Sequence, residues 1–125
     1  MTENEIATII VNASFKLHKL VGPGLLESAY ENALAHDLKE HKFEIRQQVA
    51  LPFIYKAIHL EVGYRIDLLI ESKVLVEIKA VEKLVPVHFA QTLTYLRLSG
   101  LKLGLLINFN EVLIKNGIHR IVNKL

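Results

Sequence analysis

Asp67, Glu77 and Lys79 are the residues whose types and spacing could do chemistry in this sequence. Val74-Leu-Val-Glu-Ile-Lys-Ala reads as a strand. Side chains alternate along a strand, so Glu77 and Lys79 share one face while Val74, Val76, Ile78 and Ala80 take the other. Tyr64-Arg-Ile-Asp-Leu-Leu-Ile reads as a second strand, with Asp67 set into an otherwise apolar second half. The polar turn Glu71-Ser-Lys between them predicts a hairpin that brings Asp67 and Glu77 to one side, within reach of one cation. Carboxylate oxygens hold Mg²⁺ at about 2.0–2.1 Å and leave room in the octahedron for water and a phosphate oxygen. Lys79 could then polarise or deprotonate an attacking water while the metal acts as Lewis acid. The plainer alternative is a solvated strand on which Glu77 and Lys79 form a surface ion pair worth ~0–1 kcal/mol.

Two helical groupings add polar chemistry. Glu27 and Tyr30, three apart in Gly24-Leu-Leu-Glu-Ser-Ala-Tyr, are neighbours on one helix face. Gln91 and Tyr95, four apart with His88 one turn earlier, could contact a phosphate or stack a base. Each also has an ordinary reading, as a helix-start acid beside a core tyrosine or as a polar pair at a helix boundary. The other five histidines, His18, His36, His41, His59 and His119, show no ligand spacing and read as surface or boundary residues.

The elements that must position these groups follow from periodicity. Ile6, Ile9, Ile10, Ala13 and Leu17 predict a helix from about Glu3 to Lys19, stopped by Val21-Gly-Pro-Gly. Leu26, Ala29, Tyr30, Ala33, Leu34 and Leu38 predict a second from about Leu25 to His41. Alternation then marks a strand from Phe43 to Val49. Short strands Phe53-Ile-Tyr and Ile58-His-Leu flank a turn at Lys56-Ala57, and the two strands already described follow. Pro86 opens a third helix ending at Ser99-Gly100, and Leu103 to Phe109 is an apolar buried strand. Asn116-Gly117, between Val112-Leu-Ile and Ile118-His-Arg-Ile-Val, predicts a tight hairpin. The result is a single α/β domain over residues 1–125, one sheet with helices against it.

Composition bounds the chemistry further. With 125 residues the chain can bury a core without a metal or disulfide staple, and without cysteine it has no thiol nucleophile and no Cys-containing zinc site. Residues 97–125 carry five basic groups against Glu111 alone, which could steer a polyanion toward the carboxylates. The N-terminus lacks a signal-peptide pattern and no apolar run is long enough to span a bilayer, so a cytoplasmic location is expected. A mean hydropathy of +0.30 points to an apolar surface shared with a second subunit, as in a homodimer.

The blocks taken together resemble a known family. Gly24-x-x-Glu27-x-x-Tyr30 is similar to the signature of the GxxExxY proteins, a bacterial and archaeal group within the PD-(D/E)XK nuclease superfamily. Tyr64-Arg-Ile-Asp-Leu-Leu, Val76-Glu-Ile-Lys-Ala-Val, Pro86-Val-His-Phe-Ala-Gln and Gly104-Leu-Leu-Ile-Asn-Phe-Asn extend the resemblance along the chain. It implies a restriction-endonuclease-like αβββαβ core around a mixed four-stranded sheet, here with an extra N-terminal helix and a C-terminal hairpin. It also implies a metal site of Asp67, Glu77 and the backbone carbonyl of Ile78, with Lys79 as catalytic lysine. Glu27 resembles the helical acid that supplements such sites, and Gln91 with Tyr95 looks like a Q-x-x-x-Y element that positions the strand being cut. Ile66 stands where the superfamily name has proline, and Ala57 where relatives often carry glycine.

The expectation is therefore a Mg²⁺-dependent nuclease, with Mn²⁺ as a substitute, acting on nucleic acid and on DNA in the first instance. Two alternatives stand beside it. One is a non-catalytic module binding nucleic acid or protein through the same face. The other is a buried Glu-Lys-Asp network that fixes strand register and needs no metal.

Overall fold

Thr2 starts the first helix in the computed structural model, which describes residues 1–125. Its hydroxyl accepts the Glu5 N–H at 3.2 Å and the Glu5 carboxylate accepts the Thr2 N–H at 2.9 Å, so two otherwise unpaired donors are satisfied reciprocally. Helix α1 (Glu3–Val21) then runs to Gly22 and buries Ile6, Ile10, Ala13 and Leu17. Helix α2 (Glu27–Glu40) begins two residues later than the periodicity predicts, because Leu26 is still extended.

Strands β1 (Ile45–Tyr55) and β2 (Ile58–Ile70) form one long ribbon. The expected short strands are thus parts of two continuous ones. Lys56 and Ala57 make the turn between them with both φ values positive, at 49° and 65°, the conformation that suits a two-residue hairpin. The ribbon is irregular between Leu51 and Phe53, where Glu61–Gly63 on β2 are left without partners. A second turn at Glu71-Ser72 leads into β3 (Val74–Lys79), and α3 (Pro86–Ser99) ends at Gly100 in the left-handed region at φ 74°. Strands β4 (Leu103–Asn108) and β5 (Ile118–Val122) complete a five-stranded mixed sheet in the order β1-β2-β3-β4-β5. Only β3 and β4 are parallel, as the α3 crossover between them requires. From α2 to β4 the order is the expected αβββαβ, with α1 in front.

The tight hairpin at Asn116-Gly117 does not form. Val112 and Leu113 are exposed and belong to no strand, while Ile114–Gly117 make a 3-10 helical turn. The C-terminal hairpin is instead β4 paired antiparallel with β5 across that longer connection. Gly117 serves close approach: a Cβ there would collide with the carbonyl of Asn108.

The sheet separates two cores. Val74, Val76, Ile78, Leu68 and Ile70 pack with α1 and α2, whereas Leu75, Leu69 and Ile66 pack with Tyr95 and Leu96 of α3. Gly104 lets α3 lie close to the sheet, since a Cβ would meet the Leu75 side chain at 3.0 Å. No helix is long and apolar enough to cross a membrane.

Candidate metal centre

The β2–β3 ladder pairs Ile70 with Val74, Leu69 with Leu75 and Leu68 with Val76, and stops there. Beyond it, carboxylates take the backbone donors. The Ile78 N–H donates to Asp67 Oδ2 at 2.8 Å, and the Asp67 N–H donates to Glu77 Oε1 at 3.3 Å. The two acids therefore occupy the gap where the strands part, as the hairpin reading predicts.

Strand β2 reaches this arrangement by rolling over. Simple alternation would put Ile66 and Leu68 on one face, yet Ile66 belongs to the α3 core and Leu68 to the α1–α2 core. Asp67 lies at the switch. Across from it on β1, Gln48 adopts a left-handed φ of 52°, which costs a non-glycine residue on the order of 1–3 kcal/mol. The Gln48 amide donates to Glu31 Oε1 at 2.7 Å and to Asp67 Oδ1 at 3.3 Å, and Glu31 Oε2 accepts from Gln47 at 2.9 Å. Sequence reasoning missed Gln48 and Glu31. The consecutive amides at Gln47-Gln48 in an alternating strand were the available signal.

Burial and then the neighbouring Asp67 charge push the Glu77 carboxyl up to about 9. At neutral pH the pair thus holds a proton. Lys79 opposes the shift, but weakly. The only salt bridge in the molecule is the exposed pair His36–Glu40, so Lys79 is joined to neither carboxylate. Neither the surface ion pair nor the buried register network forms.

Glu27 and Tyr30 hold different positions. The Tyr30 hydroxyl donates to the Gly22 carbonyl at 2.6 Å and accepts the Leu25 N–H at 3.1 Å, and its buried ring stacks on Phe109 at 4.6 Å. Tyr30 thus clamps the Val21-Gly-Pro-Gly turn that delivers Glu27 to the start of α2. Glu27 Oε2 accepts the Ala80 N–H at 3.2 Å, one residue past Lys79. Asn108, fully buried, ties down the next residue, accepting the Val81 N–H at 3.1 Å and donating to the Val81 carbonyl at 2.9 Å. Its place at the polar end of an apolar strand was legible, but its partner 27 residues away was not.

Gln91 and Tyr95 do pair, amide to hydroxyl at 2.9 Å, and the Tyr95 ring lies 5.9 Å from that of Tyr64. Burial, followed by the charge of Glu77, raises the Tyr95 phenol above its ordinary value, so the hydroxyl stays protonated. The structure thus brings Asp67, Glu77, the Ile78 backbone and the Gln91–Tyr95 pair into one neighbourhood, with Glu27 anchored at its rim. His88 is a helix cap: its Nδ1 accepts the Val85 N–H at 3.0 Å. His18, expected at the surface or boundary, is buried with Nε2 2.7 Å from the Glu111 carbonyl. His36 is exposed, as expected, but it is not alone. Its ring nitrogen lies within 4.8 Å of carboxylate oxygens of Asp37 and Glu40, at the other end of α2 from Glu27.

A sequence model described as PD-(D/E)XK nuclease superfamily matches residues 4–121, from α1 into β5. No curated protein and no solved structure matches the chain.

Proposed function

Because the chain belongs to the PD-(D/E)XK nuclease superfamily, we propose that it is a divalent-metal-dependent nuclease of the GxxExxY branch, cutting phosphodiester bonds of DNA in the first instance. The observation that carries this reading is the Asp67–Glu77 pair in the strand gap, two adjacent carboxylates of which burial and the Asp67 charge make Glu77 costly to ionise without a cation.

The donor set fits Mg²⁺ or Mn²⁺, because it consists of oxygens alone. Asp67 and Glu77 would hold the ion. The Ile78 N–H faces Asp67, and in a strand a residue's N–H and C=O point to the same edge, so its carbonyl is a third donor on that side. When bound, the metal would polarise a phosphate oxygen and lower the pKa of a coordinated water. Lys79, free of any carboxylate partner, supplies an ammonium that can orient water or offset charge growing on the phosphate. Tyr95, kept protonated and held by Gln91, can donate to a phosphate oxygen of the strand being cut. Glu27 fixes the end of β3 through Ala80 and adds negative charge at the rim of the site.

Calorimetric titration of Mg²⁺ and Mn²⁺ into the parent and an Asp67→Asn, Glu77→Gln double variant, beside cleavage assays on DNA, tests the reading. Metal uptake and cleavage by the parent alone are expected. Equal uptake by both proteins refutes the metal site, and metal-independent nucleic-acid binding without cleavage would favour the non-catalytic module.

A further inference from the structure

Beyond Leu51 the β1–β2 ribbon contributes no residue to either core, yet it carries a connected row of aromatic rings that begins at the candidate centre. Tyr95 lies 5.9 Å from Tyr64, Tyr64 lies 6.4 Å from Phe53, and Phe53 lies 6.2 Å from Tyr55, ring centroid to ring centroid. The row ends at the hairpin tip, where the Lys56 ammonium stands 5.3 Å from the Tyr55 ring. Tyr55 is 51% exposed and Tyr64 37%. Core packing does not account for Tyr55, left in water at the tip of the ribbon.

We propose that this row is a stacking platform for a single-stranded segment of nucleic acid, leading it from the ribbon tip toward the carboxylate pair. The inference rests on the nuclease reading above and names its substrate class. Three observations favour this occupant. The row is continuous with Tyr95 and hence with the site. A cation stands at each end, Lys56 at the tip and, two residues along β3 from Glu77, the unpaired Lys79. Neighbouring rings of the row are turned by 31°, 68° and 48° to one another, and the two exposed ones, Tyr55 and Tyr64, thus offer differently tilted faces that separately oriented bases can follow and the parallel stack of a duplex cannot. A second copy adding its strand to this edge fits less well. Exposed Pro52 and the neighbouring register shift interrupt the edge that such pairing needs.

The protein offers its own reporter. It has no tryptophan and four tyrosines, of which Tyr30 is buried against Phe109 and the other three all lie on the row. Tyrosine fluorescence titrated in EDTA with oligo-dT, oligo-U and a blunt DNA duplex therefore reads the platform without any metal chemistry. Quenching by one or both single strands and weak response to duplex is expected, and the two single strands distinguish DNA from RNA. Tyr55→Leu and Phe53→Leu keep the apolar surface but remove a π-face. Followed by anisotropy of a labelled single strand, each should weaken binding about 5- to 100-fold, and circular dichroism melting checks that each folds. Equal affinity for duplex, unchanged affinity in both leucine variants, or a dimer by sedimentation that protects the ribbon overturns the proposal. Because these titrations contain no metal, their failure leaves the Asp67–Glu77 test standing, and failure of that test leaves them interpretable.

Discussion

Replacing Glu77 by glutamine should make the metal-free protein more stable, and by an amount that grows with pH. In the folded chain the Glu77 carboxyl titrates near 9, against 4.5 for the ordinary group. Between those values the folded state keeps the proton while the unfolded state loses it. The unfolded state is then favoured progressively as pH rises, by up to about 1.4 kcal/mol per pH unit. At pH 7, about 2.5 units above the ordinary value at which the unfolded group titrates, the penalty is on the order of 3 kcal/mol. Below about pH 4.5 both states are protonated and the penalty vanishes. Glutamine is neutral throughout, and its carbonyl can still accept the Asp67 N–H that Glu77 Oε1 accepts at 3.3 Å. Urea unfolding in EDTA from pH 4.5 to 8.5 checks this. With m near 2 kcal/mol/M, the midpoint of Glu77→Gln should exceed that of the parent by more than about 1 M at pH 7 and coincide with it at pH 4.5. Parallel pH profiles, or a variant less stable than the parent at pH 7, would refute the reasoning. The same argument makes metal uptake pH-dependent, since a cation that binds the ionised pair must displace the proton. Apparent Mg²⁺ affinity should rise up to about tenfold per pH unit between pH 6 and 8, and a flat profile by calorimetry would count against proton displacement.

The remaining variants separate chemistry from scaffold. Lys79→Met should leave urea stability within about 0.5 kcal/mol of the parent, because no ion pair is broken, while abolishing metal-dependent cleavage. A loss of about 3–5 kcal/mol would restore the register-network reading instead. Tyr30→Phe keeps the stack on Phe109 but loses two hydrogen bonds to the Gly22–Leu25 turn. Unfolding should show a loss of about 1–2 kcal/mol, and cleavage should fall as Glu27 is released. Asn108→Ala removes the acceptor of the Val81 and Asn110 N–H groups, while the Val81 carbonyl keeps the Asn110 amide, and should cost about 2–4 kcal/mol by the same measurement.

What could be read from the chain divides along the range of the forces involved. Helix α3 was legible because Pro86 and Gly100 act within one turn of its ends, and the meeting of Asp67 with Glu77 was legible because a short hairpin leaves few registers. Gln48 was not, since its left-handed backbone answers to Asp67 and Glu31, which lie on two other elements. The one strong local rule that failed did so for the same reason. Asn116-Gly117 has the residues of a tight hairpin, but packing against Asn108 uses the missing Cβ of Gly117 rather than its freedom of φ.

That distinction also changes how the Gly24-x-x-Glu27-x-x-Tyr30 pattern is to be understood. Its spacing invites a picture of three groups converging on one ligand, yet the structure gives them three different tasks. Gly24, at φ 103°, permits the turn, and Tyr30 closes it from inside the core. Only Glu27 reaches the end of the lysine strand. The pattern thus specifies how a helix start is held against β3, and the acids that could bind a cation come from elsewhere, from a place where the sheet itself has opened. Holding Asp67 and Glu77 there without a cation costs stability that the turn clamp, the Asn108 bridge and the two cores must offset. On this account, a substitution that relaxes the gap stabilises the protein as it disarms it, whereas one that loosens the clamp weakens both.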